Sequence, residues 1–153
     1  VIAYDPLLPP EAFGGAPVTP CDLDTVFQTS DAISLHLPLT AETHNLIDAA
    51  ALARMKPTAY LINTARGGLV DEEALYEALA ARRLAGAAFD VFSKEPPEAS
   101  GLVALDNFIA APHIGSATRQ TAARMSLMAA ENALAVLRGE RPPGVVNREV
   151  EER

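Results

Sequence analysis

Basic side chains are scarce in this chain: 12 Lys and Arg stand against 20 Asp and Glu, a formal net charge of -8. A surface of that sign offers no broad patch to nucleic-acid phosphates or to an anionic membrane, so neither is expected as a partner. A small anionic substrate would need a local cation. Cysteine is nearly absent as well. The single Cys21 excludes an internal disulfide and suits a reducing cytosol, so a cytoplasmic location is expected. Apolar runs are short and broken by Gly, Pro or charge, which leaves no secretory signal or membrane span in view. Repeats and low-complexity tracts are missing too. His44 stands in a polar loop without clustered partners, and Cys21 beside prolines has no base or second thiol. Neither a metal nor a thiol nucleophile is therefore expected.

What remains is a chain of 153 residues, 49% of them hydrophobic, enough for one well-buried globular domain. Apolar runs bounded by Pro, Gly or acid predict strands over 1–5, 32–39, 59–65, 87–92 and 108–111. Between the first two lies a Pro- and Gly-rich loop that includes Gly14 and Gly15, then a helical turn over 22–27. Asp48 is the expected N-cap of a helix over 49–55. Asp71 is the expected cap of a second helix, with Glu72 and Glu73 in its first turn, Arg82 and Arg83 in its last, and Gly86 at its C′ position. A long helix over 118–138, apolar on most sides, precedes a tail over 144–153. Strands alternating with helices predict an α/β fold: a doubly wound parallel sheet covered on both faces. A domain that opens on a core strand at Val1 suggests a chain extending further upstream.

Asp5, His36, Arg66, Asp90 to Glu95, and His113 fall at or just past the carboxyl ends of these strands. In a parallel sheet those ends share one edge, where ligands bind. Alone, a histidine before a turn, as in Pro112-His113-Ile114-Gly115-Ser116, is as a rule a structural hydrogen-bonder. An arginine and acids on the same edge change that reading. Hydride addition to a carbonyl leaves negative charge on oxygen, which a preplaced cation and an acid can meet as it forms. Arg66 can hold a carboxylate and polarise the carbonyl with its forked donors. His113 can donate the proton, and a carboxylate such as Glu95 would orient the ring and favour imidazolium. Asp5 would accept from a ribose 2′-hydroxyl and repel a 2′-phosphate, favouring NAD, with NADP possible. Gly67 and Gly68 would let the backbone turn close to a ligand. His36 either shapes the crevice or fills the strand end.

Three stretches carry a family resemblance: Leu61-Ile62-Asn63-Thr64-Ala65-Arg66-Gly67-Gly68-Leu69-Val70-Asp71, Phe89-Asp90-Val91-Phe92-Ser93-Lys94-Glu95-Pro96 and Pro112-His113-Ile114-Gly115-Ser116-Ala117-Thr118. His36-Leu37-Pro38-Leu39-Thr40 with Thr43, and Val145-Val146-Asn147, support them. In this order they resemble the D-isomer-specific 2-hydroxyacid dehydrogenases over nearly the whole chain. The resemblance implies a Rossmann-like domain and NAD(P)-dependent interconversion of a 2-oxo acid and a D-2-hydroxy acid. It assigns Arg66 to the substrate carboxylate and carbonyl, His113 to proton transfer, and Glu95 to pairing with that histidine. For the cofactor it implies Asp5 on the adenosine ribose and Leu37 and Pro38 alongside, in the stretch that also holds His36 and Thr43. Thr64, Ala65 and Arg66 fall on the nicotinamide side, Asp90 near the carboxamide, and His113, Gly115 and Ser116 beside the ring. A homodimer is the expected assembly.

The departures are as telling. The family's G-x-G-x-x-G turn, which sets a pyrophosphate on a helix N-terminus, is nowhere among the nine glycines. The domain is therefore expected to be incomplete, lacking its first strand and that turn: residues 1–115 as its C-terminal part, 116–139 as an interdomain helix, and 140–153 as a tail returning to an absent substrate domain. Alone, it is expected to have little or no activity. Glu95 argues against formate dehydrogenase, which has a Gln-His arrangement, and Ile114 to Thr118 differs from the aromatic sequence that follows this histidine in D-lactate dehydrogenases. Glyoxylate or hydroxypyruvate (glycerate) reductase is the expected activity. The alternatives are phosphoglycerate dehydrogenase of the short type and, from another class, a dinucleotide-sensing corepressor.

Overall fold

A computed structural model describes residues 1–13, 17–97 and 101–147. Gly14 and Gly15, part of the loop expected over 93–107, and the tail beyond Asn147 lie outside these residues. The chain divides into two compact units, Val1–His113 and Ile114–Arg153.

The first unit carries a four-stranded parallel sheet in the order β3 (Ala32–Leu35), β4 (Tyr60–Asn63), β5 (Gly86–Phe89), β6 (Phe108–Ala110). The side chains alternate as half-buried strands require: Ile33, Leu35, Leu61 and Asn63 point inward, while Ala32, Ser34 and Tyr60 point out. The inward face is covered by three helices, α1 (Leu23–Thr29), α2 (Ala49–Arg54) and α3 (Glu72–Ala80), with α1 packed on α2 and α2 on α3. Their apolar stripes, Phe27, Ala51 and Leu52, and Leu75, Ala78 and Leu79, join the strands in one core. The expectation of two covered faces is met on one side only within this unit, since Tyr60 is 56% and Ile109 70% exposed.

Local chemistry explains each helix start. Asp22, Asp48 and Asp71 all cap, their carboxylates accepting from Thr25, Ala51, and both Glu73 and Ala74 backbone N–H groups. The exit of α3 differs from expectation. Gly86 opens β5, and Arg82 takes the left-handed position instead, with φ 53. Its N–H donates to Leu79 O and that of Arg83 to Ala78 O, the paired bonds of a Schellman turn. The Arg82 guanidinium then bonds both oxygens of Asp106, at 2.6 and 2.7 Å.

The first predicted strand is also corrected. Only Ile2–Ala3 (β1) is extended, and it pairs in parallel with Thr19–Pro20 (β2), in a sheet separate from the main one. A proline can sit there because the pairing donors are its neighbours: Thr19 N–H bonds Val1 O, and Cys21 N–H bonds Ala3 O.

The second unit is dominated by α4 (Arg119–Leu137), capped by the Thr118 hydroxyl on Thr121 N–H. No described helix is long and apolar enough to cross a membrane.

Candidate active site

Leu35, Asn63, Phe89 and Ala110 are register partners, so they form one rank across the sheet. His36, Thr64, Asp90 and Ala111 each come one residue later, at the carboxyl ends, along an edge about 14 Å wide by strand spacing. Arg66, Glu95 and His113 follow on the loops that leave β4, β5 and β6.

The β4 loop is fastened by Asn63, one of two buried polar side chains among the described residues and only 1% exposed. Its Oδ1 accepts from Ala65 N–H at 3.1 Å and its Nδ2 donates to Arg66 O at 2.9 Å. Arg66 is exposed and bends back to donate to Ala65 O at 2.6 Å. A Cβ on Gly67 would lie 2.0 Å from Phe92 O, so only glycine lets the Arg66 loop pack backbone to backbone on the loop that carries Glu95. Gly68, with φ 80, accepts from Asn45 N–H through its carbonyl and faces Leu39. The Thr43 hydroxyl donates to Pro38 O at 2.8 Å and accepts from Thr40 N–H at 2.7 Å, shaping the turn after His36, Leu37 and Pro38.

Glu95 stands between two donors. Phe92 N–H reaches Oε1 at 3.0 Å, and His113 Nδ1–H reaches Oε2 at 2.9 Å. The hydrogen bond from the His113 ring, then that from Phe92, hold the Glu95 carboxyl below its usual 4.5. With Nδ1 committed to the carboxylate, Nε2 is the nitrogen left for a ligand. His113 sits at φ 54, in the left-handed region that few non-glycine residues occupy. Such strain costs on the order of 1 kcal/mol or more and persists where surroundings enforce it. The β5 loop is also tied down at Ser93, whose N–H donates to Glu72 Oε1 at 2.6 Å, a carboxylate in the first turn of α3.

The register thus brings His36, Thr64, Asp90 and, through Glu95, His113 to one edge, with Leu37, Pro38, Ala65 and Arg66 on adjoining loop positions. Asp5 belongs to the β1 side and lines a depression of about 290 Å³ with Tyr4, Leu8, Phe13 and Cys21; its Oδ1 accepts from Leu7 N–H. Gly115 and Ser116 fall in the second unit, on a turn closed by bonds from Ala117 N–H to Ile114 O and Thr118 N–H to Ser116 O. His36 Nε2 and Ser34 Oγ share a hydrogen bond at 2.8 Å. Among the described residues no group of three His, Cys, Asp or Glu could hold a metal ion. The Asn63 clamp and the Glu72 tie hold the loops that carry Arg66 and Glu95, and sequence reasoning passed over both. Asn before Thr-Ala-Arg was the available signal, because Asn side chains bond the backbone two residues on.

A parallel sheet that gathers polar groups at its carboxyl ends defines a Rossmann-like, nucleotide-binding architecture. Residues 1–115 match the family model of the D-isomer specific 2-hydroxyacid dehydrogenase, NAD binding domain, and the chain belongs to that family. It is 55% identical over 130 residues to a glyoxylate reductase of Thermofilum pendens, covering 84% of this chain and 38% of that protein. It is 51% identical over 131 residues to glyoxylate/hydroxypyruvate reductase B of Pectobacterium carotovorum, covering 85% and 41%. A crystal structure of D-lactate dehydrogenase with NAD+ from Lactobacillus jensenii superposes with a TM-score of 0.87 at 36% identity, over 96% of this chain and 48% of that one. The chain therefore spans about two fifths of the length of the curated relatives it matches.

The donor set fits a dinucleotide at two points. An acid in a depression at Asp5 suits a ribose, and a polar strand-end rank from His36 to Asp90 suits the nicotinamide end. The pyrophosphate turn is absent from the sequence.

Proposed function

We propose that this chain works within a longer subunit that reduces a small 2-oxo acid, glyoxylate to achiral glycolate or hydroxypyruvate to the D-2-hydroxy acid. Residues 1–115 supply part of the cofactor domain, 116–139 the interdomain helix and 140–153 a returning tail. The observation that carries the reading is the Glu95–His113 hydrogen bond, at 2.9 Å, beside the Arg66 loop in a domain of this family. NADH, when bound, supplies the hydride to the carbonyl carbon. Arg66 grips the substrate carboxylate and draws charge onto the carbonyl oxygen. His113 gives its Nε2 proton to that oxygen, and Glu95 holds the ring in place as its charge changes. In the reverse direction the same nitrogen takes the proton from the hydroxyl. Asp5 favours NAD over NADP by repelling a 2′-phosphate. A homodimer in the cytoplasm completes the reading.

The relatives at 55% and 51% identity support the choice of glyoxylate and hydroxypyruvate. A full-length protein should oxidise NADH in the presence of either acid and yield the D-enantiomer from hydroxypyruvate, while the 153 residues alone should be nearly inert. Tight NADH binding with negligible turnover of every 2-oxo acid would refute the reductase.

A further inference from the structure

Asn63 is an expensive residue to bury at the end of a strand, because an amide group left there without a hydrogen bond has lost its hydration with nothing in return. Both ends of the amide are spent on the same three-residue loop: Oδ1 on Ala65 N–H and Nδ2 on Arg66 O. Its own backbone carbonyl accepts from Asp90 N–H at 2.9 Å, so the residue also spans to the next strand end. Arg66 is exposed, and the one described hydrogen bond of its guanidinium reaches Ala65 O within the same loop. The guanidinium is therefore aimed by the backbone beneath it, and that backbone is fixed by Asn63 below and by Gly67 against Phe92.

We infer that Asn63 is the positioning residue for Arg66: it sets the direction from which the guanidinium meets the substrate carboxylate and carbonyl. The inference rests on the reductase reading and adds to it a buried residue that touches neither substrate nor cofactor. Aspartate at this position would keep the acceptor for Ala65 N–H but turn an oxygen toward Arg66 O. Serine could accept from Ala65 N–H but could not reach Arg66 O. Leucine or alanine would leave two backbone groups unserved.

The test uses the full-length enzyme and four forms: wild type, Asn63→Ser, Arg66→Ala and the double variant. A misplacement of about 1 Å at a reacting group costs on the order of 100-fold, so Asn63→Ser should lower kcat/KM for glyoxylate by about 10- to 100-fold. The loss should fall on glyoxylate KM and kcat, with the NADH dissociation constant within about twofold of wild type. In the Arg66→Ala background, Asn63→Ser should cost nothing further, because the group it aims is gone. Equal losses in both backgrounds would assign Asn63 to general stability and overturn the inference, as would unchanged kinetics in Asn63→Ser. If Asn63→Ser fails to fold, Asn63→Asp takes its place in the cycle; failure of both to fold overturns the inference in favour of a core role. A wild-type enzyme without 2-oxo acid turnover would instead overturn the reductase reading, and the role of Asn63 in it.

Discussion

Helix α3, nine residues long, buries Leu75, Ala78 and Leu79, whereas α4, nineteen residues long, buries none. Both are rich in apolar residues, and the spacing separates them. In α3 the buried positions stand three and four apart and make one stripe against the core. In α4 Met125, Leu127, Met128, Leu134, Val136 and Leu137 run around the helix, and all are exposed. The sheet unit thus holds its structure by tertiary burial. The helix of the second unit has its backbone bonds, its many alanines, the Thr118 cap and a bond from Gly144 N–H to Asn132 Oδ1, and the apolar side chains around it suit the interdomain role proposed for 116–139.

That contrast is open to breakage. Leu75→Ala should destabilise the sheet unit by about 2–5 kcal/mol in urea unfolding, because Leu75 is fully buried. Met125→Ala, at 61% exposure, should stay within about 0.5 kcal/mol in the 153-residue chain; a loss as large as that of Leu75→Ala would contradict the contrast. The caps sharpen the point at a smaller scale. Asp71→Ala removes an acceptor shared by two N–H groups and should cost about 1 kcal/mol of global stability. Thr118→Ala should instead raise amide exchange in the first turn of α4 and leave exchange in β4 and β5 unchanged.

The smallest effect concerns pH. Glu95 is held below its ordinary 4.5 by His113 and the Phe92 N–H, so its contribution is present above that value and fades as pH falls through the lowered one. The stability gap between wild type and Glu95→Gln should therefore be open at about pH 6 and narrow toward about pH 3. A gap that widened on acidification would reverse the sign.

The order of strands and helices was legible because apolar runs, caps and breakers are local signals. Asp48 and Asp71 show this well, since a carboxylate before an apolar-periodic stretch has few uses other than capping. Strand ends were overrun for a physical reason: Leu37, Val91 and Phe92 remain at least partly buried after the ladder has ended, so hydrophobicity outlasts pairing. The β1–β2 pair was hidden because proline normally argues against a strand, and here its neighbours carry the donors. The residue types at Arg66, Glu95 and His113 were legible from strand-end position. The Asn63 clamp and the Gly67–Phe92 contact were not, because each depends on how two loops meet in space. Gly86 misled in the same way: a glycine after a helix looks like a cap, yet Arg82 made the turn.

The proton-transfer role of His113 is the claim on which the account turns, and His113→Gln in the full-length enzyme tests it most directly. Loss of a general acid should lower kcat for glyoxylate reduction by about 100- to 10,000-fold, with NADH binding largely kept. Turnover equal to wild type in that variant would remove His113, and the Glu95 contact at 2.9 Å, from the mechanism.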